Sequence, residues 1–311
     1  MEQKRDTLLE LHDLSVSFRM YDSALKQTEL QMISDLHLTV YPGEVVAVAG
    51  ASGSGKSLMA SAVLGLLPPN ATVRGHMHYC GRELTPEMQK ELRGGEIALV
   101  PQSVSYLDPL MRVGKQVDGH KKDSDPGKRR GLFQRFGLPK KTEKLYPFQL
   151  SGGMARRVLV STALMSDARL IIADEPTPGM SLEQAMEGLQ MFRELANEGK
   201  AVLLITHDID LAFEFADRVA VFYVGTTVES APASDFRAGP DALRHPYSKA
   251  LWKALPQNGF VPIKGTQPYA GDIPKGCLFA PRCPWADEQC RACVPFVRDL
   301  RGGEVRCFRA T

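Results

Sequence analysis

The chain has 311 residues, 43% hydrophobic and 24% charged, an ordinary globular composition with room for about two domains of ~150 residues. Thirty-eight basic against 36 acidic side chains leave a formal charge of +2, which excludes a broad electrostatic preference for nucleic acid or anionic lipid and leaves Lys128-Arg129-Arg130 as a solvated loop face. No run approaches ~18 consecutive apolar residues, and Met1-Glu2-Gln3-Lys4-Arg5-Asp6 opens without an apolar signal core, so the expectation is a soluble cytoplasmic chain.

Residues 8–11 and 14–18 alternate roughly between apolar and polar, and 33–40 repeats the pattern before the Tyr41-Pro42-Gly43 turn; each predicts a strand. Glu44-Val45-Val46-Ala47-Val48-Ala49 is a nearly continuous apolar run, as a strand covered on both faces requires. A glycine-rich loop comes next, then a helix over 57–67 ending at Pro68-Pro69. Strand, glycine loop and helix in that order open a doubly wound α/β unit. Another strand is expected at 97–100, closed by Pro101. Residues 103–150 turn helical, apart from a polar loop at 118–130, and read as an inserted helical subdomain. Alternation then resumes: a helix from Gly152, strands at 170–173, 201–205 and 219–223, and helices at 181–198 and 211–216.

After about Gly239 come Pro- and Gly-rich loops, one short helix near 247–255, and a cysteine-rich tail expected to form a separate unit. Cys277, Cys283, Cys290, Cys293 and Cys307 all fall in the last 35 residues. Without a secretion signal, such a cluster points to a metal site rather than disulfides. Cys80 stands alone and reads as a small buried hydrophobe.

Gly50-Ala51-Ser52-Gly53-Ser54-Gly55-Lys56-Ser57 fits the pattern G-x-x-x-x-G-K-[ST]. Its glycines let the backbone wrap a phosphate, with N–H groups pointing inward at a helix N-terminus. Lys56 would reach the β- and γ-phosphates of ATP and Ser57 would ligate Mg²⁺. The second half of such a site is an acid at the end of another buried strand, and Leu170-Ile171-Ile172-Ala173-Asp174-Glu175 supplies it. Asp174 would hold Mg²⁺ through water, and Glu175 would orient or deprotonate an attacking water.

With these motifs in place, the chain resembles the ABC-transporter ATPases. Leu150-Ser151-Gly152-Gly153-Met154 looks like their signature loop, and the order of phosphate loop, Gln102, signature, Asp174-Glu175 and His207 matches theirs. The resemblance implies a mixed-sheet α/β cassette over 1–238 with a helical subdomain at 103–150. It makes Gln102 a sensor of Mg²⁺ coupled to membrane subunits and His207 the switch histidine at the γ-phosphate. Phe18 fits the aromatic that stacks on adenine, with Tyr21 as its rival and a core role as the plain alternative. A second helix N-terminus at Ser151, Gly152 and Gly153 offers N–H donors to a γ-phosphate. The resemblance implies that two cassettes close head to tail, so this single cassette needs a partner, a paralogue or a second copy. Two departures stand out. Met154 replaces the usual glutamine, as in peptide importers. Ser181, in Pro176-Thr177-Pro178-Gly179-Met180-Ser181, replaces the aspartate that communicates across the dimer.

The last part narrows the resemblance. Arg244-His245-Pro246-Tyr247 through Ala254-Leu255-Pro256, together with the cysteines beyond, is similar to the extension of oligopeptide, dipeptide and nickel importer ATPases, placed here at 239–311. The resemblance implies an ATP-hydrolysing subunit on the cytoplasmic face of the membrane. It would work with two permeases and an extracellular binding protein, with no nucleic acid, on peptides or on nickel or a metal chelate. The alternative is a soluble ABC ATPase of repair or translation. Cys277, Cys283, Cys290 and Cys307 offer four thiolates, with Cys293 spare; their irregular spacing favours a [4Fe–4S] cluster over zinc.

Overall fold

The computed structural model describes residues 6–21, 27–119, 125–178, 180–269 and 272–311. Gly179 and part of the polar loop expected at 118–130 lie outside the described residues.

Two sheets organise the chain. The first carries β1 (Leu9–Tyr21) and β2 (Gln27–Val40), and the second opens with β3 (Val45–Gly50). The two short strands expected near the start are one strand with a bulge. Asp13 takes a left-handed φ of 50°, and the register slips between Leu11 and Leu14. The extra residue lets Leu11 and Leu14 both stay buried, and so blurs the alternation. All six residues of β3 are buried, because the strand lies in the middle of a parallel sheet.

Helix α1 (Lys56–Val63) comes next, ending earlier than the proline pair. Gly65 at φ 63° turns the chain, and Leu66 N–H donates back to Ser61 O at 2.8 Å. Strands β4 (Ala71–Tyr79) and β5 (Arg82–Glu83) complete the first sheet, in the order β2-β1-β4-β5. β4 escaped the sequence reading because its middle is polar and exposed. Cys80 is exposed rather than buried. It occupies the tight turn between β4 and β5, where Cys80 and Gly81 both have positive φ, and a hairpin turn of this kind projects its side chains outward.

Helix α2 (Pro86–Leu92) leads to β6 (Ile97–Val100). The region after it is less helical than expected: α3 (Val113–Asp118) and α4 (Pro126–Arg135) are accompanied by short 3₁₀ turns. Prolines and glycines cut the periodicity, yet Val113, Val117, Phe133, Phe136 and Leu138 pack into the main core. Helix α5 (Gly152–Leu164), β7 (Leu170–Asp174), α6 (Leu182–Asn197), β8 (Ala201–Thr206), α7 (Ile209–Phe215) and β9 (Arg218–Tyr223) continue the α/β alternation. β9, β3, β8, β7 and β6 pair in parallel in that order.

β10 (Thr226–Pro232), α8 (Ala233–Ala238), α9 (Pro246–Lys253), α10 (Glu288–Ala292), β11 (Arg298–Leu300) and β12 (Gly303–Val305) close the chain. β10 adds antiparallel to β9, and β12 then β11 extend the same sheet. The cysteine-rich tail therefore shares the cassette's sheet. It also shares its core: Leu243, Tyr247, Leu278 and Phe279 belong to the same buried cluster as β3 and β8. Arg244 fastens this junction. It is 1% exposed and pairs with buried Glu229 and with Asp235, while its Nε donates to Leu300 O at 2.6 Å.

Candidate nucleotide site

In an open parallel sheet, ligands bind beyond the carboxyl ends of the strands. Here β3, β8 and β7 are neighbours in register, Ala49 opposite Thr206 and Asp174 opposite Ile205. Their carboxyl ends bring the glycine loop, His207 and the Asp174-Glu175 pair to one edge. Gly50 is required there, since a Cβ would sit 2.4 Å from Phe222 O on β9. Gly53 and Gly55 take φ of 75° and 95°, which turns the loop into α1.

Lys56 is buried and spans its own loop, donating to Gly50 O at 2.9 Å and Ala51 O at 3.2 Å. Burial pulls its ammonium below the ordinary lysine range, and Glu175 and Asp174 oppose that shift. Ser57 Oγ donates to Asp174 Oδ1 at 3.0 Å, so the two expected Mg²⁺ partners already meet. Burial raises the Asp174 carboxyl above its usual range against the Ser57 hydrogen bond. Ser52 and Gly53 are exposed on the loop, whereas Ser54 is buried with its Oγ unpaired.

Glu175 comes directly after β7 in a left-handed conformation, φ 47°, with its N–H donating to Ile205 O at 2.9 Å. A side chain at positive φ is strained, and such strain is held where the neighbouring structure fixes it. The Glu175 carboxylate bonds His207 Nδ1, and His207 itself is open to solvent. This puts a carboxylate and an imidazole in contact, beside an ammonium and a hydroxyl–carboxylate pair.

Of the other expected residues, Gln102 leaves the carboxyl end of β6, beside β7 on the same sheet edge, while the rest sit on other elements. Ser151 caps α5, accepting from Met154 N–H at 3.2 Å, and Ser151 and Gly152 are exposed. Gln102 is exposed after β6. Arg156 was not singled out from sequence, yet it ties these two regions: from α5 it donates to Pro101 O at 2.8 Å and Gln102 O at 2.7 Å. Phe18 is half-buried against the core beneath the first sheet, while Tyr21 is 70% exposed. Ser181 caps α6, exchanging hydrogen bonds with Gln184. Its hydroxyl does the work of an N-cap there, which an aspartate would do equally well.

Tyr247 was also missed as a site residue. Its ring lies 4.5 Å from that of Tyr223, and Ala51 N–H of the glycine loop points to its hydroxyl. Burial pushes this phenol up to about 12. The tail thus reaches the phosphate loop.

All six cysteines are free thiols. Cys277, Cys283, Cys290 and Cys307 line one small cavity, and Cys293 is exposed outside it. Burial raises all four thiols, Cys307 to about 11. Backbone N–H groups face the sulfurs: Arg309 N–H donates to Cys307 Sγ at 3.2 Å, Phe279 and Ala280 face Cys277, and Trp285 faces Cys283. Among the described residues no three His, Cys, Asp or Glu side chains stand ready to hold a single metal ion. One tetrahedral zinc needs sulfurs about 3.8 Å apart at Zn–S of about 2.3 Å, whereas a cubane of irons holds its four thiolates wider. Four soft ligands, with N–H donors around them in an apolar cavity, fit an iron–sulfur group better than zinc.

Comparison with known proteins gives the same outline. Residues 33–178 match the ABC transporter family, and residues 228–290 match the oligopeptide/dipeptide transporter C-terminal region. The oligopeptide transport ATP-binding protein OppD of Salmonella typhimurium is 33% identical over 326 residues, covering 99% of this chain and 95% of that protein. The dipeptide transport ATP-binding protein DppD of Escherichia coli is 34% identical over 316 residues, covering 95% and 94%. Among solved structures, a dimeric post-hydrolysis state of the cassette MJ0796 bound to ADP and phosphate superposes with a TM-score of 0.63 at 25% identity, over 73% of this chain and 99% of that one. The cbiO1 cassette of Clostridium perfringens gives 0.63 at 22% identity, over 75% and 92%. The chain belongs to the ABC transporter ATP-binding proteins, in the oligopeptide/dipeptide branch.

Proposed function

We propose that this chain is the ATPase subunit that powers peptide uptake through an ABC importer. The observation that carries the reading is the single sheet edge that joins Lys56, the Ser57–Asp174 pair and the Glu175–His207 pair. The loop N–H groups and Lys56 would hold the β- and γ-phosphates, and Ser57, Asp174 and Gln102 would hold Mg²⁺. Glu175 takes the proton from a water whose oxygen attacks the γ-phosphorus, while the bond to the ADP oxygen breaks. His207 orients Glu175 and the γ-phosphate. Phe18 stacks on the adenine. Ser151, Gly152 and Gly153 of an opposed cassette, a paralogue or a second copy, would donate N–H groups to the same γ-phosphate.

Relatives named for oligopeptide and dipeptide transport make peptides the substrate class of this reading, ahead of nickel or a chelate. The chain would sit at the cytoplasmic face beneath two permeases, fed by a binding protein. Residues 1–238 would form the cassette and 239–311 the extension. Cys277, Cys283, Cys290 and Cys307 would hold a [4Fe–4S] cluster, which when bound supplies a one-electron couple and a cross-link within the extension.

Affinity capture of the chain from membranes tests the transport reading. Permease subunits and a second cassette should co-purify; ribosomes or nucleic acid in their place would favour a non-transport ATPase. Iron and sulfide analysis of anaerobically purified protein tests the cluster: about four irons per chain are expected, and their absence would remove it.

A further inference from the structure

His245 is 1% exposed and sits at the boundary between α9 and the cysteine cavity. Its position is fixed from both sides. Its backbone N–H donates to Glu229 Oε2 at 2.8 Å, and its Nδ1 accepts from Tyr247 N–H at 3.0 Å as the cap of α9. An Nδ1 that accepts leaves the ring proton on Nε2. That Nε2–H is buried and has no partner. A buried donor without a protein acceptor is one that a bound group can pair.

The same ring lines the cavity formed by Cys277, Cys283, Cys290 and Cys307. Among the side chains lining that cavity, the sulfurs are the hydrogen-bond acceptors, since Arg309 offers only donors. We propose that His245 is a positioning residue of the cysteine site, its Nε2–H donating to a sulfur of the [4Fe–4S] cluster held there. The inference rests on the cluster reading of those four cysteines. A donor aimed at a cluster sulfur stabilises the reduced, more negative state and raises the reduction potential. His245 thereby links the cluster to α9, whose Tyr247 lies under the phosphate loop.

His245 also borders a second cavity, shared with Ser34, Asp35 and Arg306, where Arg306 Nε is likewise unpaired. If Nε2–H served that cavity instead, the cluster would not register its loss.

Two substitutions separate the two ring nitrogens in the full chain, purified without oxygen. His245→Asn keeps an acceptor near the Nδ1 position and removes the Nε2 donor. His245→Gln places an amide N–H near Nε2 and gives up the cap. Iron and sulfide content, thermal melting and a potentiometric titration followed by electron paramagnetic resonance are measured on each. With iron retained, His245→Asn should shift the oxidised-to-reduced ratio at the wild-type midpoint about tenfold toward oxidised, or about 59 mV for one electron. His245→Gln should hold the potential near wild type and melt earlier. An unmoved potential in His245→Asn with iron retained overturns the assignment of His245. No iron in the wild-type chain overturns the cluster reading, and the assignment with it.

Discussion

Glu175 joins the fold and the chemistry at one residue. Its positive φ places a carboxylate against His207 and beside Lys56. Glu175→Gln should preserve nucleotide binding and lower ATP turnover by about 10²–10⁴-fold, as loss of a general base does; phosphate release and nucleotide filter binding measure the two separately. Ser181 gives a complementary test. Ser181→Ala removes the α6 cap and should lower stability by about 1 kcal/mol, while Ser181→Asp keeps the cap and leaves stability within about 0.5 kcal/mol. Urea unfolding of both variants reads this directly. Turnover of Ser181→Asp, assayed with the partner cassette, then reports on communication across the dimer with the helix intact.

The elements that hold the site were legible where sequence and physics pointed the same way. Val45 to Ala49 is apolar because β3 is covered on both faces, and Gly50 must be glycine because Phe222 O approaches it. Lys56, Asp174, Glu175 and His207 were readable because short loops carry them straight off parallel strands. The contributions of Arg156 and Tyr247 were not readable, since each contact spans more than fifty residues of chain, from α5 back to Gln102 and from α9 back to Ala51. β4 was hidden by its polar surface, and Cys80 by a turn whose sign of φ no composition rule gives. The junction of α9 with β10 has the same long-range character. Glu229 is 1% exposed, accepts from the backbone of Arg244 and His245, and pairs with the Arg244 guanidinium. Glu229→Ala leaves two buried backbone N–H groups unpaired and the Arg244 guanidinium with Asp235 as its remaining carboxylate, and should cost about 3–5 kcal/mol. A guanidinium unfolding curve should show it, with Cys307 becoming alkylated earlier than in wild type.

At the scale of the whole molecule, the tail is built into the ATPase rather than appended to it. β12 and β11 extend the central sheet, and Tyr247 and Phe279 enter its core. Removing residues after 238 should therefore lower the yield of folded cassette and weaken nucleotide binding together, which fluorescence titration of the truncated chain checks. In the proposed reading, the site edge and the exposed helix N-terminus at Ser151 each complete a site with an opposed cassette. With Glu175→Gln to arrest turnover, ATP should convert monomer to dimer in size-exclusion chromatography, and a Ser151→Arg partner site should prevent it. The most direct measurement is ATP hydrolysis by the assembled complex in lipid vesicles, with and without peptide-loaded binding protein. The account predicts phosphate release that rises with peptide, requires the membrane subunits and disappears in a complex carrying Glu175→Gln. Equal hydrolysis in that variant, or hydrolysis indifferent to the permeases, would contradict it.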